Sequence, residues 1–222
     1  MFRDRVQAGR ALAEALEVYA GRPDLLVLAL PRGGVPVGFE VAMGLGAPLD
    51  VFLVRKLGVP GHEELAMGAI ASGDVRVLNQ EVVDELAIPE STIDAVARRE
   101  SVELARRERE YRDGRSAPEM RGRTILLVDD GLATGSTMRA AAIALRMRSP
   151  AAVIAAVPVG AADACQAIRR EVTRVVCLST PEPFVAVGAW FADFAETSDG
   201  EVRDLLARAA RARGGPGVMP TP

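Results

Sequence analysis

The chain has 222 residues, 49% of them apolar, and a formal net charge of −3. That length accommodates one domain with a full hydrophobic core. The slight acidity argues against a general nucleic-acid binder, which presents a basic excess, and no apolar run approaches the roughly 20 residues of a membrane-spanning helix. The opening MFRDRVQAGR is charged and has no apolar stretch of the signal-peptide kind. The only cysteines, Cys165 and Cys177, form neither a metal-spaced cluster nor a disulfide framework. They read as small buried hydrophobes, and the expected compartment is a reducing cytoplasm. Lys56 is the only lysine among 27 basic residues, and His62 is the only histidine. A compact, flexible ammonium used once in an arginine-rich chain marks Lys56 as a candidate functional residue.

Residues 4–19 place apolar side chains at helical spacing and predict an amphipathic helix. Residues 24–30, DLLVLAL, form a continuous apolar run, as in a strand covered on both faces. PRGGVPVG follows as a glycine-rich turn opening a helix that ends near residues 44–46. Residues 49–54 predict a second buried strand. Residues 67–78 predict a hairpin turning at Ser72, Gly73 and Asp74. A short helix is expected over 81–87 and a longer one over 90–112, with Ser91 or Thr92 near its start and Gly114 beyond its end. Strands over 124–128, 151–157 and 174–178 then alternate with helices over 134–148 and 161–170. A helix over 199–211 closes the chain, and residues 214–222 read as a disordered tail.

That alternation predicts an α/β domain over residues 1–213, a central parallel sheet flanked by helices. Residues 67–121 do not alternate and read as an inserted hairpin and helical flap. Residues 179–213 read as a small C-terminal hood with its closing helix. Ligands of such sheets sit at the carboxyl ends of the strands. Three of these ends carry unusual residues: Pro31 to Gly34, Arg55 with Lys56, and Asp129 to Thr137.

The last of these is the most informative. The strand ILLV delivers two adjacent carboxylates, Asp129 and Asp130, and neighbouring strand residues point to opposite sides. A carboxylate can accept hydrogen bonds from two vicinal hydroxyls. The turn GLATGST then supplies small residues whose amides can close around an anion, at the start of a helix whose N-terminus favours phosphate. Thr134, Ser136 and Thr137 add hydroxyl donors. A diol clamp beside a phosphate cradle suits a ribose 5-phosphate. A Walker A loop would need Gly-Lys-Ser/Thr where Gly135 is followed by Ser136, and the aspartate pair lacks the Asp-x-Asp spacing of a two-aspartate phosphatase.

Residues 125–137, ILLVDDGLATGST, resemble the phosphoribosyl-pyrophosphate (PRPP) signature of the type I phosphoribosyltransferases. The resemblance implies that Asp129 and Asp130 hold the ribose hydroxyls, and that Ala133, Thr134, Gly135, Ser136 and Thr137 hold the 5-phosphate. Arg32, Gly33 and Gly34 match the pyrophosphate loop, which often contains an unusual peptide geometry before a glycine. Arg55 and Lys56 match the Arg-Lys step of the orotate and adenine enzymes, where a mobile loop follows; LGVPGHEELAMG is similar to the start of that loop. Arg32, Lys56, Asp129 and Asp130 are then the residues expected to carry catalysis, with Mg²⁺ brought by PRPP beside the acidic pair and no direct protein metal site.

On the acceptor side Phe184 and Val185, within PEPFV, resemble the base-stacking segment of the hypoxanthine-guanine enzymes, with Trp190 close behind. Two departures keep the chain out of that subfamily: Ala133 stands where those enzymes have an aspartate, and no lysine lies beside Val176 or Cys177. No single substrate subfamily fits. The resemblance implies displacement of pyrophosphate from PRPP by a nitrogen acceptor such as a nucleobase, in a homodimer that uses neither nucleic acid nor membrane. The alternatives are a PRPP-sensing regulator that keeps the fold without catalysis, and a partner-dependent subunit. The arginine-rich helix over 90–112 reads either as a solvated helix with i,i+4 ion pairs or as a lid bringing an arginine and Tyr111 over the site. His62 reads as a loop residue or a phosphate contact.

Overall fold

A computed structural model describes residues 1–73 and 75–213, so the expected tail over 214–222, and Asp74 of the hairpin turn, lie outside the described residues. The elements are α1 (Arg5–Ala15), β1 (Leu25–Ala29), α2 (Gly34–Leu45), β2 (Leu49–Val51), β3 (Val54–Val59), β4 (His62–Ala71), β5 (Val75–Leu78), α3 (Gln80–Glu85), α4 (Glu90–Arg112), β6 (Thr124–Val128), α5 (Ser136–Arg146), β7 (Ala152–Val159), α6 (Ala162–Ile168), β8 (Arg174–Ser179) and α7 (Asp199–Arg213). Five strands form one parallel sheet in the order β2-β1-β6-β7-β8. The continuous apolar runs are explained by burial on both faces: every residue of β1 and β6 is buried. Leu26, Leu28, Ile125 and Leu127 face a core shared with Met138, Leu145 and Ile168 of α5 and α6. Leu25, Val27, Leu126 and Val128 face the opposite core, with Leu12, Val37 and Val41 of α1 and α2.

The strand order places the functional ends. From β1 the chain crosses to β2 on one side, and from β6 it crosses to β7 on the other. A crevice therefore opens between the carboxyl ends of β1 and β6, where neither crossover covers the sheet.

The expected strand over 49–54 is divided. β2 stops at Val51, and Val54 opens β3 of a separate antiparallel sheet, β3-β4-β5. Residues 57–68, read above as the start of a loop, are strand and turn of this hairpin, and exposed His62 begins β4. Helix α4 packs Ile93, Val96, Ala97, Leu104 and Tyr111 into a third core with the hairpin and with Val202, Leu205 and Leu206 of α7. Its C-terminal end is fastened to β2: Arg112 Nε donates to Asp50 Oδ2 at 3.0 Å, and Arg112 Nη2 donates to the Val51 carbonyl at 3.1 Å. The opposite face carries exposed pairs, Glu103 with Arg106 and Arg107, and Arg106 with Glu110. Amphipathic packing plus solvated ion pairs explains the composition of this helix. Among the described residues no helix is long and apolar enough to cross a membrane.

Candidate active site

The loop after β1 and the acidic pair after β6 meet across the crevice at van der Waals distance. Leu30 N donates to the Val128 carbonyl at 2.9 Å, which continues the β1–β6 ladder one step past the strand. The peptide joining Pro31 and Arg32 is cis. Gly33 and Gly34 then press directly on the carboxylates. A Cβ added at Gly33 would lie 2.1 Å from Asp130 Oδ2, and one at Gly34 would lie 2.9 Å from Asp129 Oδ1 and from the Val128 carbonyl oxygen. Only glycine permits this approach.

Strand alternation separates the two carboxylates. Continued past Val128, it sends Asp130 to the α1 side of the sheet, where Arg5 Nε donates to Asp130 Oδ2 at 2.9 Å and Arg5 Nη2 lies 2.8 Å from the same oxygen. Arg5 also donates to the Ala195 carbonyl at 2.7 Å and lies 3.8 Å from the Phe194 ring centroid. Asp129 has no ion-pair partner among the described residues, and its Oδ1 accepts from the Asp130 amide at 2.9 Å. Burial and the charge of Asp130 hold the Asp129 carboxyl well above the usual carboxylate range. Burial also raises Asp130, with Arg5 opposing it.

Beyond the pair the chain turns through 131–135 into α5, and Gly135 adopts φ +76°. That left-handed residue delays the helix to Ser136, two residues after the expected start. The Thr134 and Ser136 hydroxyls lie 3.1 Å apart. Ala133 and Thr134 are exposed, as is Thr137 at the start of α5. The turn thus offers hydroxyls and helix-end amides to an anion, Ser136 N donating meanwhile to Thr134 Oγ1 at 3.4 Å. It is anchored by Leu132, which donates to the Val159 carbonyl at 2.9 Å and accepts from Ala161 N at 2.8 Å.

A small cavity of about 40 Å³ is lined by Pro31, Val54, Arg55, Arg107, Tyr111 and Thr137, so both loops, β3 and α4 meet there. Past Val54 and Arg55 it adjoins an open cleft of about 360 Å³ lined also by Lys56, Glu63, Arg99 and Glu100. Arg55 is held by Glu100, with Nε donating at 2.6 Å. Burial raises the Glu100 carboxyl, but Arg55 and Arg99 outweigh it and leave the group below its ordinary value. Tyr111 donates to Asp199 Oδ1 at 2.5 Å, and burial with that carboxylate pushes the phenol up to about 12.

Of the residues singled out in the sequence, Gly33 and Gly34 directly meet Asp129 and Asp130. Arg55 and Thr137 share the small cavity, and exposed Lys56 lines the adjoining cleft on β3. Arg32 is turned to the C-terminal segment, where it pairs with Glu196. Phe184 and Trp190 are half-buried against Ala8, Val159 and Phe191, Val185 is 79% exposed, and the Trp190 Nε1–H is buried without a partner among the described residues. This segment touches the turn through Val187, whose Cγ1 would lie 2.4 Å from a Cβ at Gly131. Arg5, Glu196 and Arg107 carried no individual signal. Arg5 lies 125 positions from its partner and is one arginine among many.

The family model of the phosphoribosyl transferase domain matches residues 3–190. The chain belongs to this family. Over 211 residues it is 47% identical to Rv0571c of Mycobacterium tuberculosis H37Rv, whose name provisionally gives it as a phosphoribosyl transferase. That match covers 95% of this chain and 47% of the relative. The same figures hold for MT0597 of strain CDC 1551. The chain therefore spans about half the length of the curated relatives it matches. The crystal structure of TT1426 from Thermus thermophilus is similar at a TM-score of 0.83 and 42% identity, covering 93% of this chain and 98% of that one. The family and the parallel five-stranded architecture are thereby established together.

Proposed function

We propose that this chain transfers the 5-phosphoribosyl group of PRPP to a nitrogen acceptor of the nucleobase kind, with release of pyrophosphate. The observation that carries the reading is the contact of Gly33 and Gly34 with Asp130 and Asp129 across the crevice between β1 and β6. It sets a glycine-rich anion loop beside a diol-accepting carboxylate pair, with the phosphate-ready turn at 131–135 immediately beyond.

In this reading Asp129 and Asp130 accept from the ribose hydroxyls, and the hydroxyls and amides of 133–137 hold the 5-phosphate. Arg32, the amides of Gly33 and Gly34, and Lys56 hold the pyrophosphate as negative charge builds on it during departure. Preorganised donors aimed at that charge, together with fixed placement of the sugar, supply the catalysis. The carboxylate oxygens of Asp129 and Asp130 suit a hard cation, and they fit Mg²⁺ carried on the oxygens of PRPP, where it would neutralise pyrophosphate charge. Ala133 offers no proton acceptor to the incoming nitrogen, whereas Glu63 brings a carboxylate to the cleft that Lys56 lines. Phe184, Val185 and Trp190 of the hood form the proposed acceptor side.

A PRPP sensor is the second reading, and one observation favours it. Asp130 and Arg32 are already paired with Arg5 and Glu196, so a ligand that engages them must exchange ion pairs and disturb the hood. A panel of nucleobases and small amines, assayed for PRPP-dependent pyrophosphate release, separates the readings. Release above the no-acceptor control supports the transferase. Tight PRPP binding with no release from any acceptor rejects it in favour of the sensor.

A further inference from the structure

Behind the turn at 131–135 lies a feature that the proposed reaction does not use. Cys165 of α6 is buried, and Cys177 on β8, an edge strand of the sheet, is half-buried. Both are free thiols, and Cys177 Sγ donates to the Ser179 carbonyl at 3.1 Å. Their sulfurs converge on Gly160: a Cβ there would lie 2.8 Å from Cys165 Sγ and 3.4 Å from Cys177 Sγ. The same Cβ would lie 3.0 Å from Leu132 Cβ, so the thiols and the ligand-facing turn meet on one residue. Gly160 pairs with Leu132 in a β-bridge, Cys165 N donates to the Ala161 carbonyl at 3.0 Å, and the nearest heavy atom to a Cβ at Gly135 is the Cβ of Ala164, at 3.6 Å. The floor of the turn is therefore the segment that carries Cys165.

We propose that Cys165 and Cys177 form a redox-active dithiol that a low-molecular-weight disulfide closes into an intramolecular disulfide, loosening the turn at 131–135. Two thiols converging on one residue titrate together, and with Cys177 beside it the Cys165 thiol is brought down to about 7 while Cys177 is raised. The more accessible Cys177 gives its proton to solvent and becomes the thiolate. It attacks one sulfur of the small disulfide, breaks the S–S bond and expels one thiolate. Cys165 then loses its proton to solvent and attacks Cys177 Sγ, forming the protein disulfide and expelling the second thiolate. Two protein thiols are oxidised and the small disulfide is reduced to two thiols. A bonded pair must close to about 2 Å between sulfurs, which draws α6 and β8 together beneath Leu132.

The effect on ligand binding rests on the function proposed above; the thiol chemistry does not. The full chain is treated with oxidised glutathione, and free thiols, peptide masses and amide exchange are measured beside Cys165→Ser and Cys177→Ser. The expected result is loss of both thiols, a linked peptide pair lighter by two hydrogens, and several-fold faster exchange over 131–137, all reversed by dithiothreitol. Neither variant should change its exchange pattern, and the half-buried Cys177→Ser keeps the control if Cys165→Ser fails to fold. Two persisting thiols, or a stable mixed disulfide, would overturn the proposal. A protein disulfide with unchanged exchange would overturn its coupling to the turn. If the disulfide forms as expected but even reduced protein binds no PRPP, it is the functional reading that fails.

Discussion

In the crevice between β1 and β6, the opposing walls are backbone and short side chains: Gly33 and Gly34 on one side, Asp129, Asp130 and the turn on the other. Across Val54 and Arg55, the larger cleft is walled by long charged side chains, Arg55, Lys56, Glu63, Arg99 and Glu100, several of them paired. The first region is positioned by the parallel register of β1 and β6. The second is held by reciprocal ion pairs, which a ligand can exchange. A site made of both can fix a sugar phosphate rigidly while the groups facing a leaving pyrophosphate adjust. Arg5 belongs to the first kind despite its length, because it is 12% exposed and held at Asp130, the Ala195 carbonyl and the Phe194 ring together.

The largest effect is therefore expected from Arg5→Met. Breaking a buried pair by removing one partner costs about 3–5 kcal/mol, read as lost unfolding free energy in urea at neutral pH. The sign of its pH dependence follows from Asp130, whose folded carboxyl already lies above its ordinary value of 3.8 and rises further without Arg5. A raised carboxyl pKa favours folding in the protonated state. The deficit should be full above the variant's raised value and close as pH falls below the wild-type folded one. A deficit that stays constant as the pH falls through the acid range would show that Asp130 is not the partner that matters.

A smaller effect, on binding rather than stability, is expected from the long basic side chains of the β1 loop and the cleft. Arg32→Ala and Lys56→Ala should each weaken PRPP by roughly 10- to 150-fold, the worth of a charge-assisted hydrogen bond. Ribose 5-phosphate, which carries no pyrophosphate, should lose much less. Equal losses for both ligands would place these side chains at the wrong end of the site. Least of all is expected from Glu103→Gln, which removes exposed pairs with Arg106 and Arg107. A clear fall in melting temperature there would contradict the division between fixed and exchangeable walls.

The same division governs what could be read from the sequence. The acidic pair, the glycine loop and the turn were legible because each is a local pattern at a strand end, and parallel-sheet topology brings such ends together. Strand β6 and helix α4 have the bounds that their spacing predicts. The split after Val51 was not legible, because Phe52 and Leu53 are as apolar as the strand they leave and only the third dimension shows a second sheet. Arg5 and Glu196 were not legible either. They reach the site through tertiary packing of two segments far apart in sequence, where Phe2 N donates to the Trp190 carbonyl at 2.8 Å. The two cysteines were read as small buried hydrophobes, and the convergence of their sulfurs on Gly160 depends on how α6 lies against β8.

The most direct test titrates PRPP with Mg²⁺ into the wild-type chain, Asp129→Asn, and Asp129→Asn with Asp130→Asn, by calorimetry. The single variant retains the Asp130–Arg5 pair and an oxygen for the Asp130 amide, so its cooperative melting should persist and control for folding. Losing two charge-assisted hydrogen bonds should weaken the double variant roughly 100-fold or more, with the single variant between. Unchanged PRPP affinity in a folded double variant would contradict the assignment of the β1–β6 crevice as the phosphoribosyl site.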